Sequence, residues 1–303
     1  MNELSAFVYF WPTYPGIISL IVIIALLSIN VLLSVFILTI YFNTPKKTID
    51  DILLRIKKYL MPFFSESFER IEHNIRKTFI LEIKHSIPKK SINIWHPHSL
   101  FAVTPTIHNI FKITNPQYVP TKQVLHHYAE YLPIVRDIFR LGGTIPSTYS
   151  SIKKTLEHES ISIILGGAQE LLSMNGRDYK FIVKSRSGIF KLALETGTPI
   201  VPVISYGEQE LFIPLISQDL NKFIYKLTGT LLLLPTISTF INWITLYNTS
   251  LTKIKSYSGK PIYVKKIDSP TDSDIDKIRK EYIKALKDLF KETNPGGYTL
   301  TVS

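Results

Sequence analysis

The sequence predicts an α/β domain in which a mostly parallel sheet is flanked by helices, with an N-terminal membrane helix or hairpin. Three observations point to this class: short β-branched segments, helical patterns between them, and a long uncharged segment near the N-terminus. Strands that alternate with helices form largely parallel sheets. At 303 residues, 45 % of them hydrophobic, the chain can bury one sizeable core. We therefore expect a membrane anchor over residues 1–45 and a cytosolic domain over residues 46–303.

The N-terminal segment has the composition of a membrane anchor. No charged side chain lies between Leu4 and Pro45, and residues 17–42 form an apolar run long enough to span a bilayer. A cleaved signal peptide would need a basic start, a shorter apolar core and small residues at a cut site. The sequence has none of these, so we predict that the anchor is retained. A single span and a hairpin both remain open.

The charges beside this anchor predict its orientation. Residues 46–90 carry eleven Lys or Arg and six Asp or Glu, whereas residues 1–45 carry only Glu3. The more basic flank stays in the cytosol, which places the large domain there. The net charge of +11 also indicates an anionic partner, either a membrane surface or a ligand that carries phosphate. No nucleic-acid motif is present, so nucleic acid is not an expected partner.

Periodicity predicts the elements of the domain. Apolar and basic residues at helical spacing over 48–77 predict helices, which lie either on the membrane surface or on the domain. Short β-branched segments that end in Gly, Pro or polar residues predict buried strands within residues 91–99, 161–170 and 198–207. Between them, helices are predicted over residues 121–140 and 183–196, with Gly197 ending the second helix.

The C-terminal part contains a second uncharged segment and one long helix. Residues 227–252 lack charge but contain Pro235, and we expect a membrane-associated segment that enters the interface or lines an apolar tunnel; a spanning helix is the alternative. Apolar residues along one stripe predict a helix over 274–293 that packs on the sheet, with Asp272 or Ser273 as its cap. The stripe comprises Ile275, Ile278, Tyr282, Ala285, Leu286, Leu289 and Phe290.

Two histidines follow the first predicted strand. His96 and His98 lie one residue apart, and alternate residues of a strand face the same way, so both could reach one site. A metal site is disfavoured because no third ligand is evident nearby unless His108 folds back. A packed, hydrogen-bonded histidine is the structural alternative. The interpretation we prefer is a general base, since neutral imidazole can take a proton from an alcohol.

The segment 164–212 supplies further candidate site residues. Gly166 and Gly167 let backbone amides approach a ligand closely. Two acidic residues in this segment, Glu170 and Glu208, are candidates to orient a histidine. Two arginines, Arg177 and Arg186, are candidates to bind phosphates. The histidines and the two glutamates all follow predicted strands, and functional groups gather at the carboxyl ends of parallel strands. A solvated basic face and a carboxylate at a helix start are the structural alternatives for these residues.

Seven motifs in order resemble the type 2 diacylglycerol acyltransferases, with their monoacylglycerol and wax-alcohol relatives. The resemblance covers roughly residues 30–300. The motifs are Asn43-Thr44-Pro45-Lys46-Lys47, His96-Pro97-His98-Ser99, Gly142-Gly143, Gly166-Gly167-Ala168-Gln169-Glu170, Arg186-x-Gly188-x-Phe190-x-x-Ala193, Val201-Pro202 with Tyr206-Gly207-Glu208, and Gly259-Lys260-Pro261-Ile262. The family often has Gly where this chain has Ser99.

The resemblance implies an enzyme of the endoplasmic-reticulum membrane, with the lipid-droplet surface left open as a second location, and a glycerolipid-acyltransferase-like fold. It would move a fatty acyl group from acyl-CoA, a substrate, to diacylglycerol and form triacylglycerol, with no cofactor, no metal and no covalent acyl-enzyme. The family's catalytic motif maps onto His96 and His98. Neither histidine is followed by Asp at the His-x4-Asp spacing of related enzymes, which leaves Glu170 or Glu208 as the orienting carboxylate.

On this hypothesis His98 is the base, and the catalytic set is His98, His96 and Glu170. The substrate-binding set is Ser99, Gly166, Gly167, Arg177, Arg186 and Glu208. Two alternatives stay open: an acyltransferase for monoacylglycerol, long-chain alcohol or lysophospholipid, and a non-catalytic lipid-binding protein. Whether the protein forms a homo-oligomer also stays open.

Overall fold

The computed structural model describes most of the domain that follows the anchor. The described residues are 45, 47–48, 51–52, 55, 73, 75–98, 103–110, 119–126, 143–173, 176–211, 215–229, 231, 234, 236 and 253–303. The predicted anchor, most of the 48–77 helices and most of the 227–252 segment lie outside them. Within the described ranges, none of the helices combines the length and apolar composition needed to cross a bilayer.

Nine strands and seven helices are defined within these ranges. The strands are β1 Phe79–Ile83, β2 Ile92–His96, β3 Lys122–Leu125, β4 Thr144–Pro146, β5 Ile161–Ile164, β6 Asp178–Phe181, β7 Ile200–Tyr206, β8 Ile254–Ser258 and β9 Thr299–Val302. The helices are α1 Val103–Ile110, α2 Tyr149–Thr155, α3 Ala168–Ser173, α4 Gly188–Thr196, α5 Glu208–Leu211, α6 Gln218–Thr228 and α7 Asp272–Thr293.

Seven strands form one sheet in the order β1-β8-β7-β2-β5-β3-β4. Neighbouring strands are parallel except for the antiparallel pair β7 and β8. The remaining strands, β6 and β9, form a separate parallel pair. The prediction of an α/β domain with a mostly parallel sheet flanked by helices is therefore confirmed.

The central strands are apolar because both faces of the sheet are covered. Every residue of β2 and β7 is buried, and Ile92 of β2 is opposite Ile161 of β5 and Ile200 of β7. Strands buried on both faces have continuous hydrophobic sequences rather than alternating ones. The three strands predicted from such segments, within residues 91–99, 161–170 and 198–207, are present as β2, β5 and β7.

The two flanking helices predicted most clearly from sequence are present. α4 ends at Gly197, whose left-handed φ of 64° is favourable for glycine. α4 begins at Gly188 rather than at residue 183, because the amides of Val183 and Lys184 donate to the carbonyl of Ser303, each at 2.8 Å. α7 buries six of the seven residues of its predicted apolar stripe, and the seventh, Ala285, is partly buried. The six are Ile275, Ile278, Tyr282, Leu286, Leu289 and Phe290.

Two local predictions are wrong. The helix predicted over 121–140 does not include residues 122–125, which form β3 between β5 and β4; residues 127–140 lie outside the described ranges. Pairing with two neighbouring strands outweighs the local helical spacing there. The cap of α7 is Thr271 rather than Asp272 or Ser273, because Thr271 has an extended backbone and exchanges hydrogen bonds with Asp274.

Candidate active site

The carboxyl ends of three adjacent parallel strands bring the predicted site residues to one edge of the sheet. His96 is the last residue of β2, Glu170 lies in α3 just after β5, and Glu208 begins α5 just after β7. β2 lies between β5 and β7, so these three residues start from neighbouring strand ends. This edge is where sequence reasoning expected functional groups to gather.

Glu170 is the centre of a buried hydrogen-bond network. Its side chain is fully buried, and Oε1 accepts from Nδ1 of His96 at 2.8 Å and from the amide of Ile182 at 3.0 Å. Oε2 accepts from the backbone amide of His98 at 3.0 Å. All three donors are N–H groups, which is the arrangement that stabilises a buried carboxylate. Of the two candidate carboxylates, Glu170 is the one that orients His96.

His96 is fully buried, and both of its ring nitrogens have partners. Nδ1 meets Glu170, and Nε2 lies 3.0 Å from Oη of Tyr282. Its ring stacks on Phe181 with a centroid distance of 4.4 Å. The ring of His96 is therefore enclosed by Glu170, Tyr282 and Phe181.

His98 occupies a different environment from His96. It is half-buried, whereas His96 is fully buried, and β2 ends before it at His96, where the bond to Pro97 is cis. The strand alternation expected to align the two histidines therefore stops at His96. The backbone of His98 is held on both sides: its amide donates to Glu170, and its carbonyl accepts from Nε2 of Gln209 at 3.2 Å.

Gly166 makes room for the buried carboxylate. A Cβ atom at Gly166 would lie 2.1 Å from Cδ of Glu170, a contact that no structure tolerates without movement. Gly167 has a left-handed φ of 56°, and a Cβ atom added there would have no heavy atom within 4 Å outside the adjoining residues. Arg186 stabilises this turn through two hydrogen bonds, because its Nη2 donates to the carbonyl of Gly166 and to Oε1 of Gln169, each at 3.2 Å.

Comparison with known proteins identifies the family to which this site belongs. A family model described as diacylglycerol acyltransferase matches residues 19–296. The chain belongs to the diacylglycerol acyltransferase family. The predicted resemblance is thereby confirmed, and membership in the diacylglycerol acyltransferase family supports the predicted enzyme class, an O-acyltransferase.

Several curated relatives of the family are similar to the chain. A 2-acylglycerol O-acyltransferase 1 of Bos taurus is 28 % identical over 71 % of this chain and 68 % of its own length. A diacylglycerol O-acyltransferase 2 of Danio rerio is 32 % identical over 52 % of this chain and 47 % of its own length. The diacylglycerol O-acyltransferase 2 of Dictyostelium discoideum is 29 % identical over 67 % of this chain and 66 % of its own length. The chain thus spans between about half and two thirds of the lengths of these relatives.

One solved structure is also similar. The 1-acyl-sn-glycerophosphate acyltransferase of Thermotoga maritima is 12 % identical and covers 94 % of this chain and 98 % of its own, with a TM-score of 0.43. A likeness of that strength is too weak to assign a shared fold.

Three of the residues predicted for this acyltransferase family's site have no contact with the network around Glu170 among the described residues, or lie outside them. Glu208 binds the start of α1, since its carboxylate accepts from Oγ1 and from the backbone amide of Thr104. Arg177 is exposed and lies over the ring of Tyr298, 5.2 Å from its centroid. Ser99 lies outside the described residues.

His108, the third histidine considered from sequence, is part of α1 and fully buried. It stacks on Trp95 with a centroid distance of 5.6 Å, and burial lowers the pKa of its imidazole to about 3. The ring is therefore uncharged at neutral pH, because burial disfavours the charged form.

Sequence reasoning missed the partners that complete the network. Tyr282 was predicted only as a core residue of the last helix, and Phe181, Ile182 and Gln209 were not singled out. The stripe position of Tyr282 carries no signal of a polar role, because a core tyrosine has the same helical spacing. Its hydroxyl is 186 residues from His96 in the chain, so only the packing of α7 reveals the contact.

Proposed function

We propose that this protein transfers a fatty acyl group from acyl-CoA to the hydroxyl of diacylglycerol and so forms triacylglycerol. The observation that carries the proposal is the family match over residues 19–296, which includes the whole site at the sheet edge. A half-buried histidine with a fixed backbone, next to an enclosed histidine and carboxylate, suits a general base at this edge.

In the proposed reaction His98 takes the proton from the acceptor hydroxyl as the oxygen attacks the thioester carbonyl. The new C–O bond forms, the C–S bond breaks, and the proton passes from His98 to the sulfur of coenzyme A. Backbone amides near Ser99 and at Gly166 and Gly167 stabilise the negative oxygen. His96 and Glu170 position the backbone of His98.

In this mechanism the negatively charged phosphates of coenzyme A bind to cationic side chains of the protein. Arg186 lies beside the Gly166 turn, and its Nε is buried without a hydrogen-bond partner among the described residues. Arg177 is exposed on the segment that enters β6. Both guanidinium groups suit phosphate oxygens, to which arginine binds through two parallel N–H donors.

The acceptor has one supported alternative. Among the similar relatives, the proteins of Bos taurus and Homo sapiens are named 2-acylglycerol O-acyltransferase 1. Monoacylglycerol is therefore the second candidate acceptor. The decisive experiment supplies microsomes that carry the protein with labelled acyl-CoA and a panel of diacylglycerol, monoacylglycerol, long-chain alcohol and lysophospholipid. A dominant triacylglycerol product supports the first choice, and an absence of acyl product from the whole panel supports a non-catalytic lipid-binding protein.

The base assignment is tested by substitution. His98→Ala should lower turnover on the order of 10²-fold or more, because a positioned general base contributes that much. His158→Ala is the matched control, since the side chain of His158 is 82 % exposed and far along the chain from the motif. Near-normal turnover of His98→Ala would remove His98 from the proposed role.

We further propose that the enzyme works at the endoplasmic-reticulum membrane or the lipid-droplet surface, with the domain in the cytosol. The apolar segment within residues 1–45 supports an anchor, and α6 adds a structural argument. Three apolar residues of α6 are exposed on one stripe: Leu220, Phe223 and Leu227. An amphipathic helix with an exposed apolar stripe and nearby lysines is typical of a helix that lies in a membrane interface.

A further inference from the structure

We propose that Tyr282 is a positioning residue for acyl transfer: it holds His96 in the one tautomer that lets Glu170 fix the backbone of His98. The proposal rests on the proposed function, since it assigns a role in that reaction to a residue of the last helix. Tyr282 lies in the middle of α7 and is fully buried, with Oη 3.0 Å from Nε2 of His96.

The direction of this hydrogen bond follows from the chemistry of the two partners of His96. Burial, with the nearby charge of Glu170, raises the pKa of Tyr282 well above its ordinary value of 10, so the hydroxyl keeps its proton. A protonated phenol can donate or accept, but an ionised carboxylate only accepts, so Nδ1 of His96 donates to Oε1 of Glu170 at 2.8 Å. In a neutral imidazole Nε2 is then the acceptor, and the hydroxyl of Tyr282 donates to it.

The carboxylate transmits this orientation to His98. Oε1 of Glu170 is occupied by His96 and by the amide of Ile182, which leaves Oε2 to accept from the amide of His98 at 3.0 Å. If Nδ1 of His96 lost its hydrogen, it would present a lone pair to Oε1, and the two acceptors would repel. Glu170 would then have to move, and the amide of His98 would lose its partner.

Aromatic packing keeps the two rings in place. His96 stacks on Phe181 at 4.4 Å, and the ring of Tyr282 lies 5.5 Å from Phe190. Ring stacking does not distinguish one ring nitrogen from the other, so the tautomer is set by the two hydrogen-bond partners together, the carboxylate of Glu170 at Nδ1 and the hydroxyl of Tyr282 at Nε2.

Tyr206→Phe is a matched control for Tyr282→Phe. Tyr206 is also buried, and its hydroxyl lies 3.1 Å from Oγ1 of Thr293 in the same helix, α7. Each substitution removes one buried hydroxyl that binds across the interface with α7, but only Tyr282 contacts His96. Both variants should lose similar thermal stability, and a difference in function between them then reports the contact with His96.

The first readout is the tautomer of His96, measured by ¹⁵N NMR on the full chain with labelled histidine in detergent micelles. The resonances of His96 are those that disappear in His96→Asn. Wild type and Tyr206→Phe should show hydrogen on Nδ1, and Tyr282→Phe should show a mixture of tautomers. The same tautomer in all three proteins would overturn the proposal. This measurement does not depend on activity.

The second readout is a double-mutant cycle on turnover. Tyr282→Phe should lower kcat roughly 5- to 100-fold with little change in KM for acyl-CoA, the range of coupling within a buried network. The double variant Tyr282→Phe, Glu170→Gln should have nearly the same kcat as Glu170→Gln alone. For Tyr206→Phe and Glu170→Gln, by contrast, the fold-losses in kcat of the two single variants should multiply in the double variant. Multiplicative loss for Tyr282→Phe as well would show a structural role only and overturn the proposal.

The two hypotheses fail separately. A wild-type protein that acylates no acceptor, but whose His96 tautomer depends on Tyr282, would overturn the proposed function while supporting the contact described here. A protein that forms triacylglycerol with a His96 tautomer independent of Tyr282 would support the function and overturn the positioning role.

Discussion

At the residue scale, the site depends on how one carboxylate is buried. Glu170 is fully buried and accepts three N–H donors, two of them on one oxygen. Removing one partner from such a network leaves a buried polar group unsatisfied, which costs more than the hydrogen bond contributes. The neighbouring glycine is required because the side chain of Glu170 folds back over it.

Gly166→Ala should disrupt this arrangement. The added Cβ would lie 2.1 to 2.2 Å from the carboxyl end of Glu170, which is held by its hydrogen bonds and cannot move freely. We expect a loss of about 1–3 kcal/mol in the free energy of unfolding, as for other overpacked sites, together with lower turnover. Thermal unfolding and acyl-transfer assays measure the two effects. Gly188→Ala is the control, since nothing lies within 4 Å of its added Cβ; equal losses in both variants would contradict the steric argument.

At the element scale, α7 shows how a local cap positions a long-range contact. The helix begins after Thr271, whose Oγ1 accepts from the amide of Asp274 at 3.2 Å, while Oδ2 of Asp274 accepts from the amide of Thr271 at 2.9 Å. This reciprocal pair is a capping box, which sets where the helix starts. The buried stripe of the same helix carries Tyr282, whose hydroxyl contacts His96.

Thr271→Ala should remove the cap and lower the free energy of unfolding by about 1 kcal/mol. Ser273→Ala is the control, because Ser273 follows the cap within the first turn although the sequence suggested it as a capping residue. Thermal or denaturant unfolding distinguishes the two variants. A larger loss of unfolding free energy for Ser273→Ala than for Thr271→Ala would show that Ser273, as the sequence suggested, is the capping residue.

The effect of Thr271→Ala should depend on pH. Hydrogen bonds from the side chain and backbone of Thr271 hold the pKa of Asp274 below its ordinary value of 3.8. A carboxyl with a lowered pKa stabilises the fold fully above its unfolded pKa and loses that contribution as the pH falls through the folded pKa. The difference in the free energy of unfolding between wild type and Thr271→Ala should be constant near neutral pH and should become smaller as the pH falls below 3.8. Unfolding followed over a pH series measures it, and a gap that widens in acid would contradict the assignment.

At the scale of the whole molecule, α6 links the site to the surface that we propose faces lipid. Asn221 on one face is buried, and the helix packs against α3, which carries Glu170. On the opposite side Phe223 is 60 % exposed and Leu227 is 68 % exposed. An interface helix in this position would place the site next to the acceptor lipid.

The chain contains no cysteine, which allows a direct test of this docking. Phe223→Cys labelled with an environment-sensitive fluorophore should show blue-shifted emission, and quenching by brominated lipid, when the full chain is placed in vesicles. Tyr263→Cys is the control, because Tyr263 is 71 % exposed but lies outside α6. Emission and quenching at position 223 in vesicles that equal those at position 263 would refute docking by α6.

Topology has an independent test. Asn248-Thr249-Ser250 is a glycosylation sequon within the 227–252 segment. If the domain faces the cytosol, Asn248 stays unmodified, because glycans are added in the lumen. A shift in gel mobility on glycosidase treatment, abolished by Asn248→Gln, would reverse the proposed orientation.

The sequence by itself determined the fold class, the identity of β2, β5 and β7, the apolar face of α7 and the family. These depend on neighbouring residues: a continuous β-branched segment marks a strand buried on both faces, and apolar spacing marks a helix that packs on one face. The placement of His96 and Glu170 at adjacent strand ends was also predictable, because parallel strands end at the same edge.

Only the tertiary structure decided what these groups contact. Packing of α7 on the sheet brings the hydroxyl of Tyr282 to His96, pairing of β3 between two strands overrides a local helical pattern, and Glu170 binds the backbone of His98 as well as a histidine ring. Such contacts join residues far apart in the chain, and their formation depends on the order of strands and the seating of helices. No local pattern of residues encodes that information, so the roles of the two histidines separate only in the folded molecule.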